Sequence, residues 1–222
     1  VCKFVTRIFG GLGNQLFAYS AARRLALANN AELVIDDISG FRYDIQYQRH
    51  YQFDHFAIPC RKATAVERLE PFSRIRRNLL RRWNARRPFE QRRYIQQQGI
   101  DFDPRLLTLR PSGTLYLEGY WQSEGYFKDV ESQIREDLRI IPPKDDANQQ
   151  MAARIQNQVA VAVHVRFFDD PEQSSPSQSA ANNAPGDYYL RAIAEMEQRV
   201  PGAHYFLFSD RPDAARARIT LP

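Results

Sequence analysis

Apolar positions along the chain change between the alternating spacing of strands and the longer spacing of helices. Lys3 to Ile8 and Glu32 to Asp36 are β-rich runs, and between them the apolar residues from Asn14 to Asn29 keep helical spacing. Thr114 to Glu118 alternates as a strand does, and Phe127 to Leu138 follows as a helix. This order predicts an α/β fold.

A second unit of the same kind is predicted near the end of the chain. Val159 to Val165 is a nearly continuous apolar run, which is typical of a parallel strand covered on both faces. A helix predicted from Asp187 to Val200 precedes a buried strand, His204 to Phe208, so the three form a βαβ unit. We therefore expect Arg166 and Asp210 to lie side by side where the two strands end.

Ile140 to Lys144 contains two prolines, which cannot continue a helix, and predicts a linker. We interpret residues 1–141 as a Rossmann-like domain, 142–157 as linker and helix, and 158–222 as the start of a second Rossmann-like domain. The chain begins with Val, and Pro222 closes no element, so we expect a fragment with an incomplete second domain.

Composition narrows the class of protein. No run approaches the roughly 20 apolar residues of a membrane span, and no secretion signal opens the chain. With Cys2 and Cys60 alone, a disulfide framework is not expected, which favours the cytoplasm. The net charge of +5 suggests anionic ligands.

Much of the positive charge lies between Arg68 and Arg93, where apolar residues recur every three or four positions. This spacing predicts an amphipathic helix with a cationic face, broken at Pro88. Three interpretations remain open: a solvated helix face, attraction to anionic lipid or a lipid-linked acceptor, and nucleic-acid binding. No nucleic-acid recognition motif accompanies the helix, which disfavours the third.

A glycine-rich turn joins the first predicted strand to the first helix. Gly11, Gly13 and Asn14 lie where a helix start offers free N–H groups, so they are candidate binding residues. The turn has neither the Lys of a phosphate-binding Walker loop nor the glycine spacing of the dinucleotide fingerprint. A purely structural turn is therefore an equal alternative.

Polar and aromatic residues follow two of the predicted strands. Asp36 and Asp37 could bind a hydroxyl group or simply be solvated. After the Thr114 to Glu118 strand, an aromatic pair beside polar side chains suits sugar binding, with core packing as the alternative. The residues of this group are Tyr120, Trp121, Gln122 and Glu124.

The Val159 to Val165 strand ends in His164, Arg166 and Asp169. The planar fork of Arg166 matches phosphate oxygens and stays charged at any relevant pH. His164 is either a ligand or a core residue, and Asp169 could brace Arg166. The polar stretch from Phe167 to Asp187 predicts a surface loop of the kind that borders active sites.

Three stretches together resemble the α1,2-fucosyltransferase family: GGLGNQLF at Gly10 to Phe17, HVRFFD at His164 to Asp169, and YFLFSD at Tyr205 to Asp210. Leu117 to Phe127 is similar to a further signature of that family. The resemblance implies a GT-B type glycosyltransferase with two Rossmann-like domains. Such enzymes transfer L-fucose from GDP-β-L-fucose to the 2-hydroxyl of a galactose, with inversion and without a metal or other cofactor.

The resemblance also implies residue roles. Arg166 would hold the diphosphate and stabilise charge on the leaving GDP as the catalytic residue. His164 and Asp169 would shape the nucleotide pocket, with Ser209 and Asp210 near the guanine or ribose. Gly11, Gly13 and Asn14 would approach the donor from the first domain, which is the acceptor side, and Tyr120, Trp121, Gln122 and Glu124 would face the acceptor or cleft.

Three departures from the family pattern leave an alternative open. Phe167 stands where a second arginine is usual, Arg211 stands where a second aspartate is usual, and the family's C-terminal donor-binding stretch would lie past Pro222. The alternative is a non-catalytic module that binds a nucleotide sugar or glycan. For the enzyme, we expect a galactose-terminated, lipid-linked glycan of bacterial surface or O-antigen type as acceptor, and peripheral contact with the anionic inner face of a membrane.

Overall fold

The computed structural model describes residues 2–45, 47–167 and 183–222. It divides into two compact units, Val1–Ile141 and Pro142–Pro222, called unit 1 and unit 2 below. Each unit has helices and a parallel sheet, so the predicted α/β class is confirmed. The GT-B arrangement, the acceptor and donor sides, and the incompleteness of the second domain stay predictions.

Unit 1 contains a five-stranded sheet in the order β3-β2-β1-β5-β4, with every neighbouring pair parallel. The strands are β1 (Lys3–Arg7), β2 (Glu32–Asp36), β3 (Arg61–Lys62), β4 (Tyr94–Gln96) and β5 (Thr114–Glu118). The register places Arg7, the last residue of β1, between Asp36 of β2 and Glu118 of β5. Charged side chains therefore meet at the carboxyl edge of this sheet.

In the described part of unit 1, three α-helices accompany the sheet: α1 (Leu12–Ala28), α2 (Ser73–Ala85) and α3 (Glu131–Asp137). Short 3-10 helices span Phe53–His55, Phe89–Gln91, Pro104–Thr108, Glu124–Tyr126 and Lys128–Val130. The core packs α1 against the sheet, where Phe4, Tyr19 and Leu115 are completely buried. Burial of such apolar and aromatic area is the main force that holds the strand ends in register.

Helix α2 confirms the predicted amphipathic helix over a shorter range than Arg68 to Arg93. Its apolar side chains do not face the core: Ile75 is 59% exposed, Leu79 61% and Trp83 52%. Phe72, just before the helix, is 70% exposed. In the part of the chain that the structure describes, no helix combines the length and apolar character needed to cross a membrane.

Among its described residues, unit 2 contains two parallel strands, β6 (Ala160–Val165) and β7 (His204–Ser209). Its helices are α4 (Asp146–Gln156), α5 (Gly186–Arg199) and α6 (Pro212–Arg218). The apolar core joins Val163, Val165 and Phe167 to side chains of α5 and α6.

The prediction that the strand is covered on both faces is wrong for β6 among the described residues. Burial alternates along β6, with Val163 and Val165 buried but Ala160, Ala162 and His164 exposed. The alternation arises because the apolar side chains of α5 and α6 pack against the Val163 and Val165 face. His164 is therefore not a core histidine, since its side chain lies on the exposed face.

Candidate functional site

The glycine turn after β1 is fixed from two sides. Gly10 has a φ of 80°, and a Cβ there would lie 2.9 Å from the Tyr120 ring, so glycine is required both for the backbone conformation and for the space. Gln15, which is completely buried, donates from Nε2 to the carbonyls of Gly10 and His50, both at 2.9 Å. The turn is thus a rigid platform at the carboxyl edge of the sheet.

The turn meets the segment that follows β5. Asn14 Oδ1 accepts a hydrogen bond from Gln122 Nε2 at 2.7 Å, and the rings of Phe9 and Tyr120 lie 4.6 Å apart. This contact follows from the pairing of β1 with β5, which brings their carboxyl ends together. The structure therefore places three predicted residues, Asn14, Tyr120 and Gln122, on one surface.

Gly11 and Gly13 stand at the start of α1 on the same turn. A Cβ at either position would meet nothing within 4 Å, so both lie beside open space. Gly11 caps α1 without a side-chain hydrogen bond, and a helix start carries positive potential. These features are compatible with a ligand approaching the backbone, and the binding role of the two glycines stays a prediction.

Two residues predicted beside this surface are placed differently. Trp121 is 2% exposed and packs edge-on against Tyr126 in the core, at ring centroids 5.6 Å apart. Its ring has no open face for a sugar, so the cleft role predicted for Trp121 is corrected to core packing. Glu124 is exposed and forms an ion pair with Lys128 at 3.4 Å.

The loop after β2 is built around Asp36, which is 2% exposed. Its carboxylate accepts from the Ser39 amide at 2.9 Å, from the Ser39 hydroxyl at 2.5 Å and from Arg77 Nη1 at 3.2 Å. These bonds occupy the side chain, so Asp36 holds the loop and helix α2 together. The ligand role considered for Asp37 stays a prediction; that side chain lies 3.7 Å from Lys62.

Sequence reasoning missed a charged cavity of about 140 Å³ at this edge of unit 1. Arg7 lines it; its Nη1 donates to Glu118 Oε1 at 2.7 Å, and its Nε donates to the Ser39 hydroxyl at 3.2 Å. Tyr94 donates its hydroxyl to the other Glu118 oxygen. Burial, followed by the negative charge of Glu118, raises the Tyr94 pKa, so this hydroxyl stays protonated.

Helix α2 forms the other wall of the cavity. Its contribution is Arg74, Arg77, Asn78 and Arg81, which are spaced to fall on one helical face. A signal for the site existed in the sequence, since Arg7 is the last residue but one of the first predicted strand and Glu118 is the last residue of another. The missing information was that β1 and β5 are neighbours.

In unit 2, four predicted residues meet at the carboxyl ends of β6 and β7. The register pairs His164 with Phe208 and Val165 with Ser209, so Arg166 and Asp210 follow side by side. The amide of Phe167 donates to Asp210 Oδ1 at 3.3 Å, which ties the two strand ends together. His164, Arg166 and Asp210 are exposed at this edge, with Ser209 partly exposed.

Phe167 does not occupy a ligand position. It is 9% exposed, belongs to the core of unit 2 and lies 5.4 Å below the Arg218 guanidinium. At the position where the resemblance would imply a second arginine, the aromatic ring therefore serves packing. Asp169 lies outside the described residues.

A comparison with curated proteins supports the resemblance noted in the sequence. The chain is 23% identical over 212 residues to the α-1,2-colitosyltransferase of Escherichia coli, and the alignment covers 93% of this chain and 68% of that protein. The predicted resemblance is thus confirmed as similarity to a glycosyltransferase over nearly the whole chain. A scan against known protein families finds no match.

The similarity of the chain to solved protein structures is weak. The NodZ α-1,6-fucosyltransferase soaked with GDP-fucose is 11% identical, with 99% of this chain and 77% of that chain covered and a TM-score of 0.45. A mutant of Arabidopsis thaliana FUT1 in complex with GDP is 12% identical, with 94% and 53% covered and a TM-score of 0.46. Overlaps of this size establish neither a shared fold nor a shared activity.

Proposed function

We propose that the chain is part of a glycosyltransferase that moves L-fucose from GDP-β-L-fucose to the 2-hydroxyl of a galactose, with inversion and without a metal. The observation that carries the proposal is the juxtaposition of exposed Arg166 with Asp210 at the carboxyl edge of a βαβ unit. This is the edge at which open α/β sheets bind nucleotides. The similarity to an α-1,2-colitosyltransferase supports the reaction class.

In this proposal, unit 2 binds the donor. The guanidinium of Arg166 pairs with diphosphate oxygens and stabilises the negative charge that grows on GDP as the bond to the sugar breaks. Asp210 and Ser209 supply oxygens near the guanine or ribose, and His164 lies on the same exposed edge. A carboxylate or histidine takes the proton of the attacking 2-hydroxyl.

Unit 1 serves the acceptor. Tyr120 presents a partly exposed ring beside the amides of Asn14 and Gln122, a combination that suits a sugar face and its hydroxyls. Gly11 and Gly13 leave open space next to this surface. We expect a galactose-terminated glycan of bacterial surface type here.

The transfer assay uses GDP-fucose and a galactoside, with the product linkage determined by mass spectrometry and NMR. We expect α1,2-linked fucose, and loss of most product when Arg166 is replaced by alanine. GDP-colitose belongs in the same assay, because the similar protein of Escherichia coli is a colitosyltransferase. Undiminished transfer by Arg166→Ala would overturn the assignment of the donor site.

The second candidate is a non-catalytic module that binds the nucleotide sugar. It is favoured by Phe167, which occupies the position of a second cation but packs in the core. Measuring GDP binding and product formation with the wild-type chain distinguishes the enzyme from the binding module, because a binding module gives saturable GDP binding without any product.

We further propose that α2 contacts an anionic membrane. The exposed stripe of Phe72, Ile75, Leu79 and Trp83 is flanked by arginines, the pattern of a helix that lies in a lipid interface. The chain should sediment with phosphatidylglycerol vesicles and not with phosphatidylcholine vesicles. An Ile75→Ser, Leu79→Ser variant should bind less; equal binding would contradict the proposal.

A further inference from the structure

The cavity of unit 1 has a cationic wall built from residues to which the proposed function gives no role. Arg74, Arg77 and Arg81 reach it from α2, and Arg7 reaches it from β1. Its volume of about 140 Å³ far exceeds the space on the order of 10–15 Å³ that one water molecule needs. The cavity can therefore hold a polyatomic group.

Two of the four arginines are held in place by carboxylates. Arg7 donates to Glu118 at 2.7 Å, and Arg77 donates to Asp36 at 3.2 Å. Both also bond to Ser39, through its hydroxyl at 3.2 Å and 2.5 Å. Side chains fixed in this way cost little further ordering when a ligand binds.

The other two arginines have neutral neighbours. Arg81 donates to the amide oxygens of Gln96 at 3.2 Å and Asn78 at 2.9 Å, and Arg74 lies 6.0 Å from the Tyr43 ring centroid. Within the described residues, neither makes an ion pair with a carboxylate. Four arginines against two carboxylates, Asp36 and Glu118, leave two positive charges in excess.

A concave wall with excess positive charge attracts anions. The geometry favours a phosphoryl group in particular, because a tetrahedral dianion offers oxygen pairs to two guanidinium forks at once. A carboxylate has one such pair. Arginine, unlike lysine, also supplies several donors in a fixed plane.

The cavity adjoins the proposed acceptor surface. The Arg7 guanidinium carbon lies 5.2 Å from the Phe9 ring centroid, and Phe9 in turn packs against Tyr120. A ligand on Tyr120 could therefore extend a charged group toward Arg7.

We propose that this cavity binds a phosphate ester group carried by the acceptor. The assignment to the acceptor rests on the proposed function, in which Arg166 of unit 2 serves the donor diphosphate. The cavity itself is a phosphoryl site whose lining residues all belong to unit 1.

The test is calorimetric titration of galactose 1-phosphate, inorganic phosphate and galacturonate into an Arg166→Gln chain, in which the donor site is weakened. We expect one saturable site for galactose 1-phosphate. Adding Arg74→Gln and Arg81→Gln should weaken its binding at least about tenfold, because charge-assisted hydrogen bonds are lost. Arg82→Gln is the matched control, since Arg82 is on α2, exposed and outside the cavity wall.

Equal affinities in the Arg74→Gln, Arg81→Gln variant and in the Arg82→Gln control would overturn the site. Inorganic phosphate bound as tightly as the ester would overturn the acceptor assignment, and galacturonate bound as tightly would overturn the preference for phosphoryl groups. The proposed function is judged separately. Failure of the wild-type chain to transfer fucose would refute the activity while leaving a demonstrated phosphoryl site, and normal transfer without ester binding would refute only the site.

Discussion

Polar residues lie at the carboxyl edges of both sheets, but their surroundings differ between the two units. In unit 1, Arg7 and Arg77 are bound to Glu118 and Asp36, and α2 lies against the strand ends. In unit 2, His164, Arg166 and Asp210 are exposed at the ends of two strands. Parallel sheets collect charge at this edge in both units, but in unit 1 much of it holds the structure together.

The comparison predicts its largest effect on stability at Asp36. Replacing Asp36 by alanine leaves Arg77 partly buried without its carboxylate, and breaking such a pair costs about 3–5 kcal/mol of unfolding free energy. Tryptophan fluorescence in urea reports this change, because both tryptophans, Trp83 and Trp121, lie in unit 1.

The matching change in unit 2 is Asp210→Ala. Asp210 is exposed and accepts a hydrogen bond from the Phe167 amide at 3.3 Å, so its loss should lower the stability by about 0.5–1.5 kcal/mol, measured by thermal unfolding followed by circular dichroism. Equal losses from Asp36→Ala and Asp210→Ala would show that the two edges do not differ as described.

A loss smaller than that of Asp36→Ala is expected when Gly40, in the loop after β2, is replaced by alanine. A Cβ at Gly40 would lie 1.9 Å from the Ile8 carbonyl oxygen, so alanine forces the loop away from the sheet. Such overpacking typically costs about 1–3 kcal/mol. Gly11→Ala, where a Cβ meets nothing within 4 Å, is the control in the same urea experiment; a destabilisation as large at Gly11 would contradict the account.

A still smaller change is expected at the acceptor surface. Gln122→Ala removes the hydrogen bond to Asn14, which is exposed and can be replaced by water, so the stability should change by about 0.5 kcal/mol or less. We expect nearly unchanged stability and a raised KM for the galactoside, with GDP affinity unaffected. A raised Kd for GDP instead would place Gln122 at the donor.

The smallest expected effect is on the way the stability of the fold falls at acidic pH. Hydrogen bonds from Arg61, followed by those from Lys3 and Thr64, hold the pKa of Glu67 well below its usual range despite partial burial. Since a lowered pKa stabilises the fold above the unfolded value of about 4.3, this contribution is lost as pH falls further. The urea concentration at the midpoint of unfolding, followed by fluorescence, should therefore fall less between about pH 5 and pH 3 in Glu67→Gln than in the wild type. An equal fall of the midpoint with pH in the two proteins would show that Glu67 does not cause this loss of stability in acid.

Local patterns were sufficient to predict most elements and the meeting of Arg166 with Asp210, because strand and helix spacing and βαβ order are properties of short stretches. The Arg7–Glu118 pair was missed because it depends on which strands are neighbours. Trp121 was predicted in a cleft and lies in the core, since only the fold shows that Tyr126 packs against its ring. The exposure of one face of β6 likewise depends on where α5 and α6 pack.

Helix α2 shows the same limit. Its spacing predicted a cationic face, but not that Arg77 would reach the buried carboxylate of Asp36. Nor could spacing show that Ile75, Leu79 and Trp83 would be left exposed. Orientation about the helix axis is set by the partners that a helix meets in the fold.

The central claim is that the open edge of unit 2 receives the nucleotide diphosphate through Arg166. Calorimetric titration of GDP tests it most directly, with wild type, Arg166→Ala and the control Arg191→Ala, an exposed arginine of α5. We predict saturable binding in wild type and Arg191→Ala, and a loss of about 10-fold to 150-fold in Arg166→Ala, which corresponds to charge-assisted hydrogen bonds of about 1.5–3 kcal/mol. Equal GDP affinity in all three proteins, or no binding to the wild type, would contradict it.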